Sequence, residues 1–162
     1  MKTIILFRHS ESEYKSINSI DHDRHLTNDG IEIAKKMGLY LSNIKNIPDL
    51  VISSTALRAK ATAEAANNEA WNSKLKLNPK IYKGDINTLI KLVANENDIV
   101  NTICLVGHEP YLSSFVCKVT NRSYINFPIA SMAKINFETG SWIDIDFYNA
   151  ELEWITRPGD FE

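Results

Sequence analysis

The sequence predicts an α/β protein, a three-layer α/β/α sandwich whose central sheet is mostly parallel with an antiparallel edge. As far as Val119, short apolar runs alternate with stretches of helical periodicity, the pattern of strands joined by crossover helices. Beyond Pro128 the pattern changes to strands without intervening helices. A length of 162 residues favours one domain, spanning residues 1–162.

Three of the predicted strands are short, continuous apolar runs, as expected for buried parallel strands. They are Lys2–Phe7, Leu50–Ser53 and Thr102–Val106.

Four helices are predicted from periodicity and from capping residues. The first is capped by Thr27 or Asn28, with apolar positions recurring from Ile31 to Leu41; the second is alanine-rich, begins at Ser54 or Thr55 and runs from Ala56 to Ala70; the third follows Asp85 and runs from Ile86 to Glu96; the fourth has Pro110 at its first position and runs to Val119.

The remaining segments are interpreted from their turn residues and alternation. We expect a connector at Asn72–Pro79, a brief extended piece at Ile81–Tyr82, strands at Met132–Asn136, Trp142–Phe147 and Leu152–Ile155, and a hairpin turn at Glu138–Ser141.

Composition and charge exclude several partners. The chain is 44% hydrophobic and 23% charged, with a net charge of −2, so we expect neither nucleic acid nor a membrane as a partner. The apolar run Thr3–Phe7 is too short for a signal-peptide core or a membrane span. Cys104 and Cys117 lie among apolar residues and are predicted to be free, buried thiols, which favours the cytoplasm.

Two histidines directly follow predicted strands. His9 follows the first strand, with Arg8 beside it, and His108 follows the third. Ligands of open parallel sheets bind at the carboxyl ends of the strands. Because an imidazole can attack phosphorus and a guanidinium can hold phosphate oxygens, these residues predict a phosphoryl site.

Four stretches in this order resemble the histidine phosphatase (phosphoglycerate mutase-like) superfamily, and the short chain resembles its SixA-type phosphohistidine phosphatases. They are Arg8-His9-Ser10, Arg24-His25-Leu26-Thr27 with Gly30, Ser54-Thr55-Ala56-Leu57-Arg58-Ala59 with Thr62, and Gly107-His108-Glu109-Pro110.

The resemblance implies a role for each matched residue. His9 would be the nucleophile that forms a phosphohistidine intermediate, Arg8 and Arg58 would bind the phosphoryl oxygens, and His108 would donate to one of them. Substrate-binding roles are expected for Arg24, Ser54 and Ser10. No metal and no cofactor are expected, and the substrate would be a phosphorylated protein or a small phospho-substrate.

The general acid is the main departure from the family pattern. Many members carry a glutamate that protonates the leaving group, whereas Lys80–Asp85 contains none. Asp85 is the nearest carboxylate, either as a general acid or as a helix cap. A missing acid suits a leaving group that departs easily, such as an imidazole. Ser10, Thr55 and Glu109 replace the family's usual glycine, proline and asparagine.

Three alternatives remain open at the level of the sequence. The enzyme could be a phosphomonoesterase of a small sugar or nucleotide phosphate, or the chain could be a phosphate-binding module without turnover. The stretch Asp21–His25 could also hold a metal, although its possible ligands are nearly consecutive and Arg24 opposes cation binding.

Overall fold

A computed structural model of the chain describes residues 1–146 and 150–161. Six strands form one sheet in the order β3-β2-β4-β1-β5-β6. The strands β3, β2, β4 and β1 are parallel to one another, while β5 is antiparallel to both β1 and β6. Their bounds are Lys2–Arg8 (β1), Leu50–Ser53 (β2), Lys74–Leu77 (β3), Thr102–Gly107 (β4), Met132–Phe137 (β5) and Ala150–Thr156 (β6).

Helices cover both faces of the sheet, which confirms the predicted three-layer class. Within the described residues, the α-helices are Asn28–Asn43 (α1), Leu57–Ala66 (α2), Ile86–Ala94 (α3) and Tyr111–Thr120 (α4). One apolar core joins α1 and α2 to Ile5 and Phe7 of β1. The other joins α3 and α4 to Ile4 and Leu6 of the same strand. Successive residues of β1 therefore point into opposite layers, as the pleat requires.

The register of the parallel strands brings three strand ends together. Arg8 pairs with Gly107, and Ser53 pairs with Val106. The ladders continue one step further, because His9 N donates to Gly107 O and Ser54 N donates to Val106 O, both at 3.0 Å. The residues that follow β1, β2 and β4 consequently lie at one edge of the sheet.

The prediction of a connector at Asn72–Pro79 was wrong, because Lys74–Leu77 forms the edge strand β3. Its four residues alternate lysine with leucine and are exposed or half-buried. Lysines on an edge strand discourage pairing with other chains, but they also remove the apolar run that identifies a buried strand.

The expected strand at Trp142–Phe147, and the hairpin turn before it, were also wrong over the described residues. Trp142–Asp144 forms a 3-10 turn, and the antiparallel partner of β5 is β6. Asp98 accepts from Trp142 N at 2.8 Å and the indole Nε1 donates to Val100 O at 2.8 Å. These contacts hold a fully buried tryptophan away from the sheet edge. Phe147 lies outside the described residues.

Two smaller differences concern turns. The second helix becomes a π-helical turn at Asn67–Trp71, where Trp71 Nε1 donates to Gly38 O at 2.9 Å. The expected extended piece at Ile81–Tyr82 is instead a 3-10 turn over Pro79–Ile81, since the Asn78 side chain accepts from Lys80 N.

Both cysteines are free, as predicted, but only Cys104 is buried. Cys104 lies in β4, between Ile5 of β1 and Val51 of β2, and its exposure is 0%. Burial raises the pKa of its thiol. Across the described residues, the helices are too short or too polar to cross a membrane.

Candidate active site

His9 lies directly after β1 as a neutral imidazole, and its Nε2 makes no hydrogen bond with the described residues. Its Nδ1 is 2.8 Å from Ser10 O. Because a carbonyl oxygen only accepts, Nδ1 carries the proton and Nε2 keeps its lone pair. Burial, together with Arg58, Arg8 and Arg24, lowers the pKa of His9 to about 4. The lone pair of Nε2 is therefore unprotonated at neutral pH.

His108 lies beside His9, with a ring-centroid separation of 5.4 Å. Its Nε2 is 2.8 Å from Ser54 Oγ, which also accepts a hydrogen bond from Ala56 N. With that amide donating to it, the hydroxyl is free to donate its own proton to Nε2, which places the imidazole proton of His108 on Nδ1. Burial, and then Arg58, lower the pKa of His108 to about 3, so the ring is neutral. The Nδ1 atom is buried without a hydrogen-bond partner among the described residues and is available to donate to a phosphoryl oxygen.

Two arginines supply positive charge next to the histidines. Arg8, the last residue of β1, donates from Nη1 to Phe127 O at 2.9 Å. Arg58, in the first turn of α2, donates from its two terminal nitrogens to Asp21. Within the described part of the chain, the Nε atoms of both arginines are buried and have no hydrogen-bond partner. Buried unsatisfied N–H groups are costly, so these two donors fit an oxyanion.

Thr62 lies one helical turn after Arg58, and its hydroxyl connects Arg58 to the segment that follows β1. Its Oγ1 donates to Arg58 O at 2.7 Å and accepts from Ser10 N at 2.9 Å. One hydroxyl therefore links α2 to Ser10, the residue whose carbonyl oxygen orients His9. The Ser10 hydroxyl is itself buried and lacks a partner among the residues described, and its role in substrate binding stays a prediction.

Asp21 and Tyr82 belong to the same site, and the sequence did not assign them to it. The Asp21 carboxylate accepts from Tyr82 Oη at 2.5 Å and from Arg58, and it lies 3.0 Å from Arg24 Nε. These neighbours hold the pKa of Asp21 below its ordinary value, first through Tyr82 and then through the arginines, despite some burial. The Tyr82 ring lies 5.4 Å from the His108 ring and 4.9 Å from the His22 ring.

Asp85 is placed as a helix cap. Its Oδ1 accepts from both Thr88 N and Thr88 Oγ1 at 2.9 Å, at the N-terminus of α3. The backbone hydrogen bond from Thr88 is the main cause that lowers its pKa, so the carboxyl holds no proton at neutral pH. Asp85 lines a cleft of about 830 Å³ with Pro110 and Tyr111, and His9 and His108 are not among the residues that line it. These contacts favour the capping interpretation over a general acid.

The stretch Asp21–His25 does not assemble a metal site in the described residues, where no group of three or more His, Cys, Asp or Glu could hold an ion. Asp21 is engaged by arginines, and Asp23 is bound by Asn18 and His22. Each carboxylate therefore already has donors of its own.

Comparisons with known proteins identify the family of this chain. The model of the histidine phosphatase superfamily (branch 1) matches residues 4–81. An uncharacterised protein of Mycobacterium leprae (strain TN), ML1117, is 30% identical over 159 residues, covering 90% of this chain and 95% of that protein.

Solved structures share the fold along the whole chain. The protein histidine phosphatase SixA complexed with tungstate has a TM-score of 0.83 at 21% identity, covering 99% of both chains. A candidate phosphohistidine phosphatase SixA from Nakamurella multipartitia has a TM-score of 0.85 at 24% identity, covering 97% of this chain and 96% of that one. From the family model and the 30% identical relative, the chain belongs to the histidine phosphatase superfamily.

Proposed function

We propose that this protein is a phosphatase that hydrolyses phosphohistidine in a protein, without a metal, through a covalent intermediate on His9. The observation that carries the proposal is the state of His9: a buried, neutral imidazole whose Nδ1–H is bound by Ser10 O and whose Nε2 has no hydrogen bond in the part of the chain that the structure describes. The names of the SixA structures with the same fold support phosphohistidine as the substrate class. The free thiols of Cys104 and Cys117 support a reducing compartment such as the cytoplasm.

The mechanism has two displacements at phosphorus. Nε2 of His9 attacks with its lone pair, and the bond from phosphorus to the leaving group breaks with its electrons on that group. Arg8, Arg58 and the Nδ1–H of His108 stabilise the charge on the phosphoryl oxygens in the transition state. Water then attacks the phosphohistidine, loses a proton to solvent, and releases inorganic phosphate and His9.

The leaving group follows from the acids that the site offers. Asp21 is held as a carboxylate and Asp85 caps α3, so neither holds a proton to give. A phosphohistidine whose second ring nitrogen is protonated leaves as neutral imidazole and needs no acid. An alkyl phosphate leaves as an alkoxide and does need one.

The loop between His9 and Asp21 bears on the kind of substrate. It contains Tyr14 and Ile17, which are 86% and 103% exposed. Exposed apolar side chains on a loop that joins two residues of the site fit contact with a macromolecule better than contact with a small sugar phosphate.

The decisive experiment is a comparison of turnover on a phosphohistidine peptide, a phosphoserine peptide and a sugar phosphate, before and after exhaustive chelation. We expect the phosphohistidine peptide to be hydrolysed fastest and chelation to leave the rate unchanged. Rapid quenching with labelled substrate should give an acid-labile, base-stable adduct on His9, absent in His9→Ala. His25→Ala, which removes an exposed histidine, is the matched control and should keep full activity.

Each other outcome selects an alternative. Faster hydrolysis of the sugar phosphate would indicate a phosphomonoesterase. Phosphate binding without turnover on any substrate would indicate a binding module. Loss of activity on chelation, with recovery on adding zinc or magnesium, would contradict the mechanism.

A further inference from the structure

Two oxygens of Asp21 accept hydrogen bonds from the terminal edge of the Arg58 guanidinium. Nη1 donates to the backbone oxygen of Asp21 at 2.8 Å, and Nη2 donates to Oδ2 at 3.0 Å. The Arg58 side chain is only 7% exposed, whereas that of Asp21 is 55% exposed. Asp21 therefore holds the guanidinium from the solvent side.

The hydrogen bonds from Asp21 leave the Nε side of the guanidinium unoccupied among the described residues. Arg58 Nε is buried and has no hydrogen-bond partner in the described part of the chain. Nε–H and the second Nη2–H form the side edge of the fork, and two parallel N–H groups match two oxygens of a phosphate. Arg58 also lies close enough to His9 and His108 to lower the pKa of both.

Asp21 is itself fixed by two further side chains. Tyr82 Oη donates to Oδ2 at 2.5 Å, and Arg24 Nε lies 3.0 Å from Oδ1. The Tyr82 ring also has the Arg58 guanidinium 5.9 Å from its centroid. The contacts of Asp21 with Arg58 and Tyr82 link segments that are 37 and 61 residues apart in sequence.

We propose that Asp21, fixed by Tyr82, is a positioning residue that turns the side edge of Arg58 toward the phosphoryl group. The inference rests on the proposed function, because phosphate is the anion that Arg58 would bind. The turn Asp21–Asp23 would then contribute to phosphate affinity. It would do so even though the Asp21 carboxylate and the phosphate are both negatively charged.

The sign of the effect separates positioning from simple electrostatics. Removing a carboxylate near an anion site should tighten anion binding if the charge acts only through space. Removing a residue that orients Arg58 should weaken it. Asp23 offers a matched control, because it lies in the same turn and carries the same charge, but its side chain bonds Asn18 and His22 and no arginine.

The experiment measures the binding of inorganic phosphate by calorimetry, and kcat and KM on a phosphohistidine peptide, for the unchanged protein, for Arg58→Ala and for four further variants. Asp21→Ala should weaken phosphate binding about tenfold, the value of one charge-assisted hydrogen bond. Asp21→Asn keeps an acceptor oxygen and should recover part of that loss. Tyr82→Phe should weaken binding about threefold, in line with one neutral donor lost. Asp23→Ala should bind phosphate as well as the unchanged protein or slightly better.

Two results would overturn the inference. Phosphate binding by Asp21→Ala that equals or exceeds that of the unchanged protein would show that Asp21 does not position Arg58. Equal losses in Asp21→Ala and Asp23→Ala would show that only the fold of the turn matters. Either result leaves the proposed function intact if the unchanged protein is fully active and Arg58→Ala loses activity. An unchanged protein that neither binds phosphate nor turns over the peptide would instead refute the proposed function.

Discussion

Ser54 selects the tautomer of His108. The hydroxyl accepts from Ala56 N and can therefore donate to His108 Nε2, leaving Nδ1–H as the free donor. Without that hydroxyl, the proton can move to Nε2, and the donor toward the phosphoryl group is lost.

Ser54→Ala should lower kcat/KM on a phosphohistidine peptide roughly tenfold, since one oriented hydrogen bond in the transition state is lost. Ser53→Ala is the control, because Ser53 is equally buried but its hydroxyl donates to a backbone carbonyl. Equal effects of the two substitutions would argue against a role for Ser54 in orienting His108.

At the scale of elements, the position of α1 depends on Gly30. A Cβ at Gly30 would lie 2.1 Å from Glu11 O. Thr27 caps the same helix end, accepting from Gly30 N at 2.9 Å and donating to Glu11 Oε1 at 2.7 Å. The helix is thus docked closely on the segment that follows His9.

Gly30→Ala should lower the free energy of unfolding by roughly 1–3 kcal/mol through overpacking, and should reduce turnover because the segment that carries Asp21 and Arg24 must shift. Gly140→Ala is the control, since a Cβ there meets nothing within 4 Å. Chemical denaturation and steady-state kinetics measure both effects. A neutral Gly30→Ala would show that α1 and the loop can separate without consequence.

Substitution of Asp85 tests whether this residue at the start of α3 acts as a general acid or only caps the helix. Asp85→Ala removes two hydrogen bonds from Thr88, and we expect a lower melting temperature with unchanged kcat/KM on a phosphohistidine peptide. The dependence of kcat/KM on leaving-group pKa should keep the same slope. A steeper slope in the variant would identify Asp85 as a general acid after all.

Local sequence predicted the elements whose burial is continuous, and missed those that depend on distant partners. The apolar runs of β1, β2 and β4 could be interpreted directly, and the histidines that follow β1 and β4 were predicted with them. Strand β3 could not, because its lysines conceal an edge position. Asp21 and Tyr82 bond each other across 61 residues, and only the folded chain shows that contact.

For the whole molecule, the two buried histidines couple stability to pH. The folded-state pKa values of His9 and His108, about 4 and about 3, lie below the unfolded value of 6.5. Between these limits the unfolded chain binds more protons, so the free energy of unfolding is unaffected above about pH 6.5 and falls as the pH drops below it.

Between pH 7 and pH 5 the loss should be roughly 2 kcal/mol for each histidine. Denaturation in phosphate-free buffer across this range measures it. His108→Gln should show about half of the slope, whatever its stability at pH 7. A pH-independent free energy of unfolding over this range would contradict the low pKa values.

The rate at which the Cys104 thiol is alkylated can report opening of the centre of the sheet. Alkylation needs both access and a thiolate, and the β4 position of Cys104, with its raised pKa, denies both in the folded state. In a Cys117→Ser protein, the rate of labelling by iodoacetamide would therefore report how often β4 separates from its neighbours. We expect inorganic phosphate to bind only the folded form. Labelling should therefore slow as the fraction of protein with bound phosphate rises.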